Sequence, residues 1–386
     1  MEIKTFSFRA PGITIFGRGT GKETGQKARQ LGARKASVIT DKNIVEVGIA
    51  EKIVQSLRSV NLEVNLFDEI EGEPNIEMIE NCVRVIKEKN PEVIVGLGGG
   101  SCMDVAKVVA ILLKYEGKVC DYIGTEKVPG KGLPVILLPT TAGTGAEATP
   151  NAIVTNKSMK LKQAVVSTYL LPDVAIVDPS FTDALPSKIT AFTGLDAFTH
   201  AFECYICKKA SPLTDIIALK AIELIAQNLR KVMEKPNNKQ ARDKLALGSL
   251  FGGIVITNSG TGGVHALAYP LGGTFGIPHG LANAIMLPWV SEFNMPACIH
   301  KFAQVAEKMG EDTKNLSPEE AAGKTVSAIK KLVEDMPIPS RLRDVGIEKK
   351  DIPKLTDLAS KVKRLLDNNP RELGISEIRK IYEKAF

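Results

Sequence analysis

The sequence predicts an α/β domain built on a Rossmann-like parallel sheet, followed by an all-helical domain. Three observations carry this. Short, almost wholly apolar strands alternate with helical patterns as far as Asp178-Pro179. Four glycines in five positions, Gly96, Gly98, Gly99 and Gly100, close one of those strands and lead into a helix. From Ser187 onward, long segments of 3.6-residue periodicity take over and strand signals nearly vanish.

Each element has a local reason. Residues 35–40 (KASVIT) form a β-branched run ending at Asp41, followed by a helical pattern over 47–60 and a strand over 62–67. A helix over 76–89 precedes the apolar strand 93–97, and Ser101 opens a helix running to Leu113. Residues 133–138 and 174–177 read as further buried strands. Strands that are apolar throughout, rather than alternating, belong in a parallel sheet covered on both faces. The second half reads as helices over 188–205, 212–234, 239–257, 300–309, 318–335 and 354–364. A chain of 386 residues exceeds one typical domain, and the expected division is residues 1–180 and 181–386.

Composition narrows the class. With 50 basic and 44 acidic side chains interspersed, the net charge of +6 forms no basic stripe, so no nucleic-acid partner is expected. The opening MEIKTFSFRAPG carries charges and lacks an apolar core, which is unlike a secretory signal. No long apolar run predicts a membrane span. The six scattered cysteines fit reduced thiols in a cytoplasm, and Cys204-x-x-Cys207 lacks the second pair that a zinc ribbon needs.

Of the four histidines, three fall where one metal ion would want them. Asp196 and His200, in TGLDAFTHAFE, stand four residues apart on a predicted helix and so share a face. His265 and His279 follow in the glycine-rich stretch GGVHALAYPLGGTFGIPHG, while His300 lies outside the group. One carboxylate oxygen and three imidazole nitrogens suit a divalent transition metal, iron or zinc.

The second constellation is nucleotide-like. In VIVGLGGGS the glycines let backbone approach a phosphate, and the amide groups opening the helix at Ser101 bind its charge; a tight strand-to-helix turn is the plainer reading. Asp41, at the carboxyl end of the first strand, either accepts hydrogen bonds from an adenosine ribose, favouring NAD over NADP, or caps the next helix. The loop PTTAGTGAEATPN offers the hydroxyls of Thr140, Thr141, Thr144 and Thr149, and Lys162 can reach a phosphate or ribose.

Together these segments resemble the iron-containing, group III alcohol dehydrogenases over nearly the whole chain. The resemblance rests on FSFRAPGITIFGRGT, the GGGS and PTTAGTGAE loops, LLPDVAIVDP, TGLDAFTHAFE, HALAYPLGG with PHG and Asn283, and DNNPRELGISEI. It implies the architecture shared with dehydroquinate synthase, an NAD(H) cofactor and Fe2+ (with Zn2+ the alternative) held by Asp196, His200, His265 and His279. Gly98, Gly99, Gly100 and Ser101 would bind pyrophosphate, Asp41 the ribose, and Asn75, Thr140, Thr141, Thr144, Thr149 and Lys162 would complete the NAD site. Tyr269 stands where the family usually has a histidine near the nicotinamide, a substitution similar to the hydroxyacid–oxoacid transhydrogenase branch. Asn151 and Phe251 are candidates for the substrate pocket. The implied reaction is hydride transfer between NAD(H) and small primary alcohols or diols and their aldehydes, in a homodimer or larger homo-oligomer. The alternatives are the transhydrogenase reaction and a dehydroquinate-synthase-like lyase; the lyase would be expected to use a glutamate ligand where this chain has Asp196.

Overall fold

The computed structural model describes residues 5–156 and 161–386; the first four residues of the charged opening lie outside that range. Its strands, in chain order, are β1 (Ile13–Phe16), β2 (Lys35–Ile39), β3 (Glu63–Phe67), β4 (Val93–Gly98), β5 (Gly124–Thr125), β6 (Val135–Pro139), β7 (Asn151–Asn156), β8 (Leu161–Val166) and β9 (Val174–Val177). Six of them form one sheet in the order β1-β9-β6-β4-β2-β3, with every neighbouring pair parallel. The other three form a small sheet, β5-β8-β7, whose β7–β8 pair is antiparallel.

Parallel strands need crossovers, and the helices in those crossovers cover both faces of the sheet. Successive residues therefore enter different cores. Val38, Val95, Ile136 and Leu138 pack into one apolar cluster, whereas Ile39, Ile94, Val135 and Leu137 pack into another. This is why those strands read as continuous apolar runs. On the second face, Gly96 lets the Gly100–Leu112 helix lie close: a Cβ there would stand 2.7 Å from both Ala106 Cβ and Leu137 Cδ2.

The chain divides into two compact units. One comprises Ala10–Thr141 and Gly145–Ala184; the other comprises residues 5–9, Ala142–Thr144 and Leu185–Phe386. The last strand among the described residues is β9, and the second unit is helical around its own large apolar core. At its centre the Ser187–Ile206 helix packs against the helices Pro212–Ala226, Lys239–Ser259 and His279–Asn294.

Several expected elements are interrupted. The helix read over 47–60 is Ile49–Arg58, starting after Gly48 turns left-handed at φ 75°, and a separate short helix, Lys42–Glu46, precedes it. The helix read over 212–234 stops at Ala226 and resumes at Leu229, where Asn228 folds its amide back onto the Leu224 carbonyl at 2.7 Å. The helix read over 354–364 is likewise split into Ile352–Ser360 and Lys363–Leu366. The glycine-rich stretch carrying His265 and His279 is mostly helical. It forms two helices, Gly263–Phe275 and His279–Asn294, each with an interior proline, Pro270 and Pro288.

Replacing Gly96 with Ala should overpack the strand–helix contact and destabilise the fold by about 1–3 kcal/mol. A urea unfolding midpoint equal to that of the parent protein would contradict the contact described here.

Candidate active site

Asp196 and His200 lie one helical turn apart in the Ser187–Ile206 helix and are 2 % and 5 % exposed. His265 is the third residue of the Gly263–Phe275 helix and His279 the first of the His279–Asn294 helix. The three helices bring one ligand atom from each residue within 4.8 Å of the others. Asp196 Oδ1 is 3.8 Å from Nε2 of both His200 and His279, and the His200 and His265 rings stack at 4.8 Å. The His279 side chain, 30 % exposed, marks the side open to solvent.

Glycines make this convergence possible by leaving room rather than by flexibility. A Cβ on Gly280 would stand 2.5 Å from the Phe192 carbonyl oxygen and 3.4 Å from Asp196 Cβ, so the helix beginning at His279 abuts the Asp196 helix only with glycine there. A Cβ on Gly143 would meet Thr193 Cβ at 2.6 Å, which keeps residues 142–144 against the same helix. A Cβ on Gly263 would press on Leu373 at 2.7 Å and on Asn369 Oδ1 at 2.9 Å.

Two polar residues complete the cluster. The fully buried Asn283 amide Nδ2 donates to Asp196 Oδ1 at 2.7 Å and lies 3.1 Å and 3.2 Å from Nε2 of His265 and His279. An amide nitrogen has only two hydrogens to share among these three acceptors. Glu203, on the same helix as Asp196 and His200, sits 2.5 Å from His265 Nδ1. The pattern Asp196, His200, Glu203 keeps one helical face, the signal from which Glu203 was legible; it was missed because it is not a ligand itself.

The electrostatics agree with a site for positive charge. Burial alone would raise the Asp196 carboxyl, but His200, His279, His265 and the Asn283 hydrogen bond outweigh it and hold the group below its ordinary value. Burial pulls His200 below the usual imidazole value, against the opposing pull of Asp196. Four inward-facing donors, one oxygen and three nitrogens, three of them already at a hydrogen-bonding amide, therefore fit a divalent transition ion.

In the α/β unit, the chain runs from β2 to β3 on one side and returns to β4 on the other, so the sheet order reverses between β2 and β4. Ligands of such sheets bind in the crevice at the carboxyl ends of the strands at that reversal. Asp41 follows β2 and Gly98–Ser101 follow β4. Gly98 adopts φ 146°, and no side chain caps the helix that begins at Gly100. Asp41 does cap its helix, Oδ1 accepting from the Ile44 amide at 3.1 Å, while Oδ2 accepts from the Cys102 thiol at 3.5 Å beside Gly98.

The remaining sequence candidates are placed as follows. Thr140 follows β6 with its amide on the Gly98 carbonyl at 2.9 Å, and the Thr141 side chain lies beside Gly99. Thr144 belongs with the helical unit. Asn75 caps the Ile76–Lys87 helix through the Met78 amide at 3.0 Å, and Lys162 pairs with Glu73 at 2.5 Å. Thr149 Oγ1 accepts from the buried Lys107 ammonium at 3.1 Å. Lys107 also reaches Asp104 and the Asn151 carbonyl, at 3.4 Å and 2.8 Å, stitching the glycine-loop helix to β7. Tyr269 lies one turn after His265, its ring 6.0 Å from that of His279. Phe251 packs on the helical core, Asn151 opens β7, and His300 is exposed on the Ile299–Met309 helix. Cys204 and Cys207 are free thiols donating to backbone carbonyls.

Comparison with known proteins follows the same division. Residues 11–179 match the family model for iron-containing alcohol dehydrogenase, and residues 190–386 match that for the carboxyl-terminal part of the Fe-containing alcohol dehydrogenase family. The chain is 38 % identical to the 1,3-propanediol dehydrogenase of Klebsiella pneumoniae over 388 aligned positions, covering 100 % of both. It is 33 % identical to the NAD-dependent methanol dehydrogenase of Bacillus methanolicus over 98 % of this chain and 100 % of that one. A crystal structure of a 1,3-propanediol oxidoreductase superposes with a TM-score of 0.97 at 38 % identity, over 99 % of this chain and 100 % of that one.

Two outcomes are expected. His265→Ala should lose bound metal, read by elemental analysis, while its affinity for NAD+ changes less than about twofold; full metal content would contradict the ligand set. Burial raises the Glu147 carboxyl from 4.5 to about 7, against weaker opposing effects of a backbone hydrogen bond and Lys107. The folded chain therefore keeps this proton where the unfolded chain has lost it, and stability falls as pH rises through that window. Glu147→Gln should be near neutral at the acid end and more stable than the parent above it, by up to about 3 kcal/mol. A stability difference that does not vary with pH would show that Glu147 does not titrate this way.

Proposed function

The chain belongs to the iron-containing alcohol dehydrogenase family and is an NAD-dependent alcohol oxidoreductase; from that premise we propose that it interconverts small primary alcohols or diols and their aldehydes at a divalent-metal site formed by Asp196, His200, His265 and His279. The observation that supports this reading most directly is the approach of those four ligand atoms to within 4.8 Å of one another in a buried setting with one solvent-facing member.

Fe2+ is the proposed ion and Zn2+ the alternative, since one carboxylate and three imidazoles suit either. When bound, such an ion supplies Lewis acidity toward an alcohol or aldehyde oxygen, and NAD(H) supplies or accepts the hydride. The chain's own part is to place groups. Asp196 brings one negative charge only, so a divalent ion held there keeps a net positive charge. The three imidazoles present neutral lone pairs. For the cofactor, Gly98–Ser101 are proposed to receive the pyrophosphate at the start of a helix that no side chain caps, and Asp41 the adenosine ribose through the oxygen not used in capping. Thr140, Thr141, Thr144, Asn75 and Lys162 are proposed to complete that site, with Thr149 contributing through Lys107. Tyr269 is proposed to hold or pass the substrate proton, and Asn151 and Phe251 to border the substrate.

Among the described residues no helix is long and apolar enough to cross a membrane. A cytoplasmic homodimer or larger homo-oligomer is the proposed working form.

With metal-loaded protein and NAD+, a panel of short primary alcohols and diols should give steady NADH accumulation, and Tyr269→Phe should lower kcat by about 100-fold or more with little change in NAD+ affinity. Turnover of a hydroxyacid only when an oxoacid is also supplied would overturn the dehydrogenase assignment in favour of transhydrogenation.

A further inference from the structure

Glu203 is a buried carboxylate that the ligand set above does not use. It is 2 % exposed and follows His200 by three residues on the helix that also carries Asp196. Both of its oxygens are engaged. Oε1 accepts from the Val264 amide at 2.6 Å, at the start of the Gly263–Phe275 helix, and Oε2 faces His265 Nδ1 at 2.5 Å. The far edge of the same ring has an equally definite neighbour, the Asn283 amide nitrogen 3.1 Å from Nε2.

Those two neighbours demand the same tautomer. A carboxylate oxygen only accepts, so Nδ1 must carry the ring proton. An amide nitrogen only donates, so Nε2 must offer a lone pair. The ring thereby presents its free pair toward Asp196, His200 and His279. We propose that Glu203 is a positioning residue for the metal site, fixing His265 as the Nδ1–H tautomer so that Nε2 is available to a divalent ion. This rests on the ligand assignment made under the proposed function. Carboxylates that orient a ligating imidazole typically contribute about 10- to 100-fold in metal affinity.

Glu203 also caps the first turn of the His265 helix through Val264, so the test must separate tautomer from support. Glu203→Gln does this. Its carbonyl oxygen can still accept from the Val264 amide, while its NH2 group then faces His265 Nδ1 as a donor. That arrangement forces the ring proton to Nε2, where it blocks the ligand position.

The measurement is a pair of readouts on the full-length chain. One is Zn2+ affinity, by competition with a chromophoric chelator. The other is the 15N correlation pattern of the His265 imidazole in metal-stripped protein. Wild type should show the Nδ1–H pattern. Glu203→Gln should show the Nε2–H pattern and a loss of about 10- to 100-fold in Zn2+ affinity, with NAD+ affinity and the unfolding midpoint unchanged. Unaltered Zn2+ affinity in Glu203→Gln, or a loss of affinity that comes only with a lower unfolding midpoint and an unchanged tautomer, would overturn the proposal. The wild-type spectrum needs no variant to fold, and an Nε2–H pattern there would also overturn it. Wild-type Zn2+ affinity in His265→Ala would instead refute the ligand assignment, while the tautomer in metal-free protein would still decide what Glu203 does.

Discussion

A carboxylate oxygen and three imidazole nitrogens turned toward one point repel one another unless something positive or hydrogen-donating stands among them. In the helical unit these four atoms lie within 4.8 Å, and three of the residues are almost entirely removed from water. Desolvated polar groups of this kind are costly unless they are satisfied. The Asn283 amide satisfies some of the demand, but with two hydrogens for three acceptors it does not satisfy all of it. A divalent ion would, and much of the surrounding structure is organised to keep the donors aimed.

That organisation reaches to the end of the chain. The Ser187–Ile206 helix contributes Asp196, His200 and Glu203 from one face, and its backbone is approached closely only because positions 143 and 280 lack a Cβ. The entry to the His265 helix is held by the asparagine pair of the DNNPRELGISEI motif. Asn368 Nδ2 donates to the carbonyls of Ser259 and Thr261, each at 2.9 Å, and Asn369 Oδ1 accepts from the Gly263 amide at 3.1 Å. Asn369 is in turn paired with Asn294, near the end of the helix that begins at His279. A motif near the carboxyl terminus thus positions the His265 helix, about a hundred residues earlier, through backbone hydrogen bonds, which explains its asparagines better than any direct chemistry would.

Much of this was legible in the sequence. Apolar runs bounded by glycine reveal a parallel sheet because each strand residue must enter one core or the other, as Val38 and Ile39 do. The Asp196–His200 pair follows from helical spacing alone. The rest depends on tertiary contact. Glycine and proline in 262–288 suggest loop chemistry, yet the segment is helical because its glycines buy close approach and its prolines are tolerated inside a packed core. The helix break at Asn228 interrupts a periodicity that continues through it. The small sheet formed by β5, β7 and β8 was not legible, because β5 is only two residues long and pairs with β8 about forty residues later, while β7 and β8 follow a threonine- and glycine-rich loop that masks their strand pattern. Asp41 and Asn75 show that one side chain can cap a helix at the very edge where a ligand would sit, so the two readings of such a residue need not compete.

The most direct test is anomalous diffraction from crystals of metal-loaded protein, recorded on both sides of the absorption edge of the ion. One anomalous peak per chain is expected, at about 2.0–2.2 Å from Asp196, His200, His265 and His279. No peak among those four residues, or a peak elsewhere while Asp196, His265 and His279 stay at the Asn283 amide, would contradict the shared metal site.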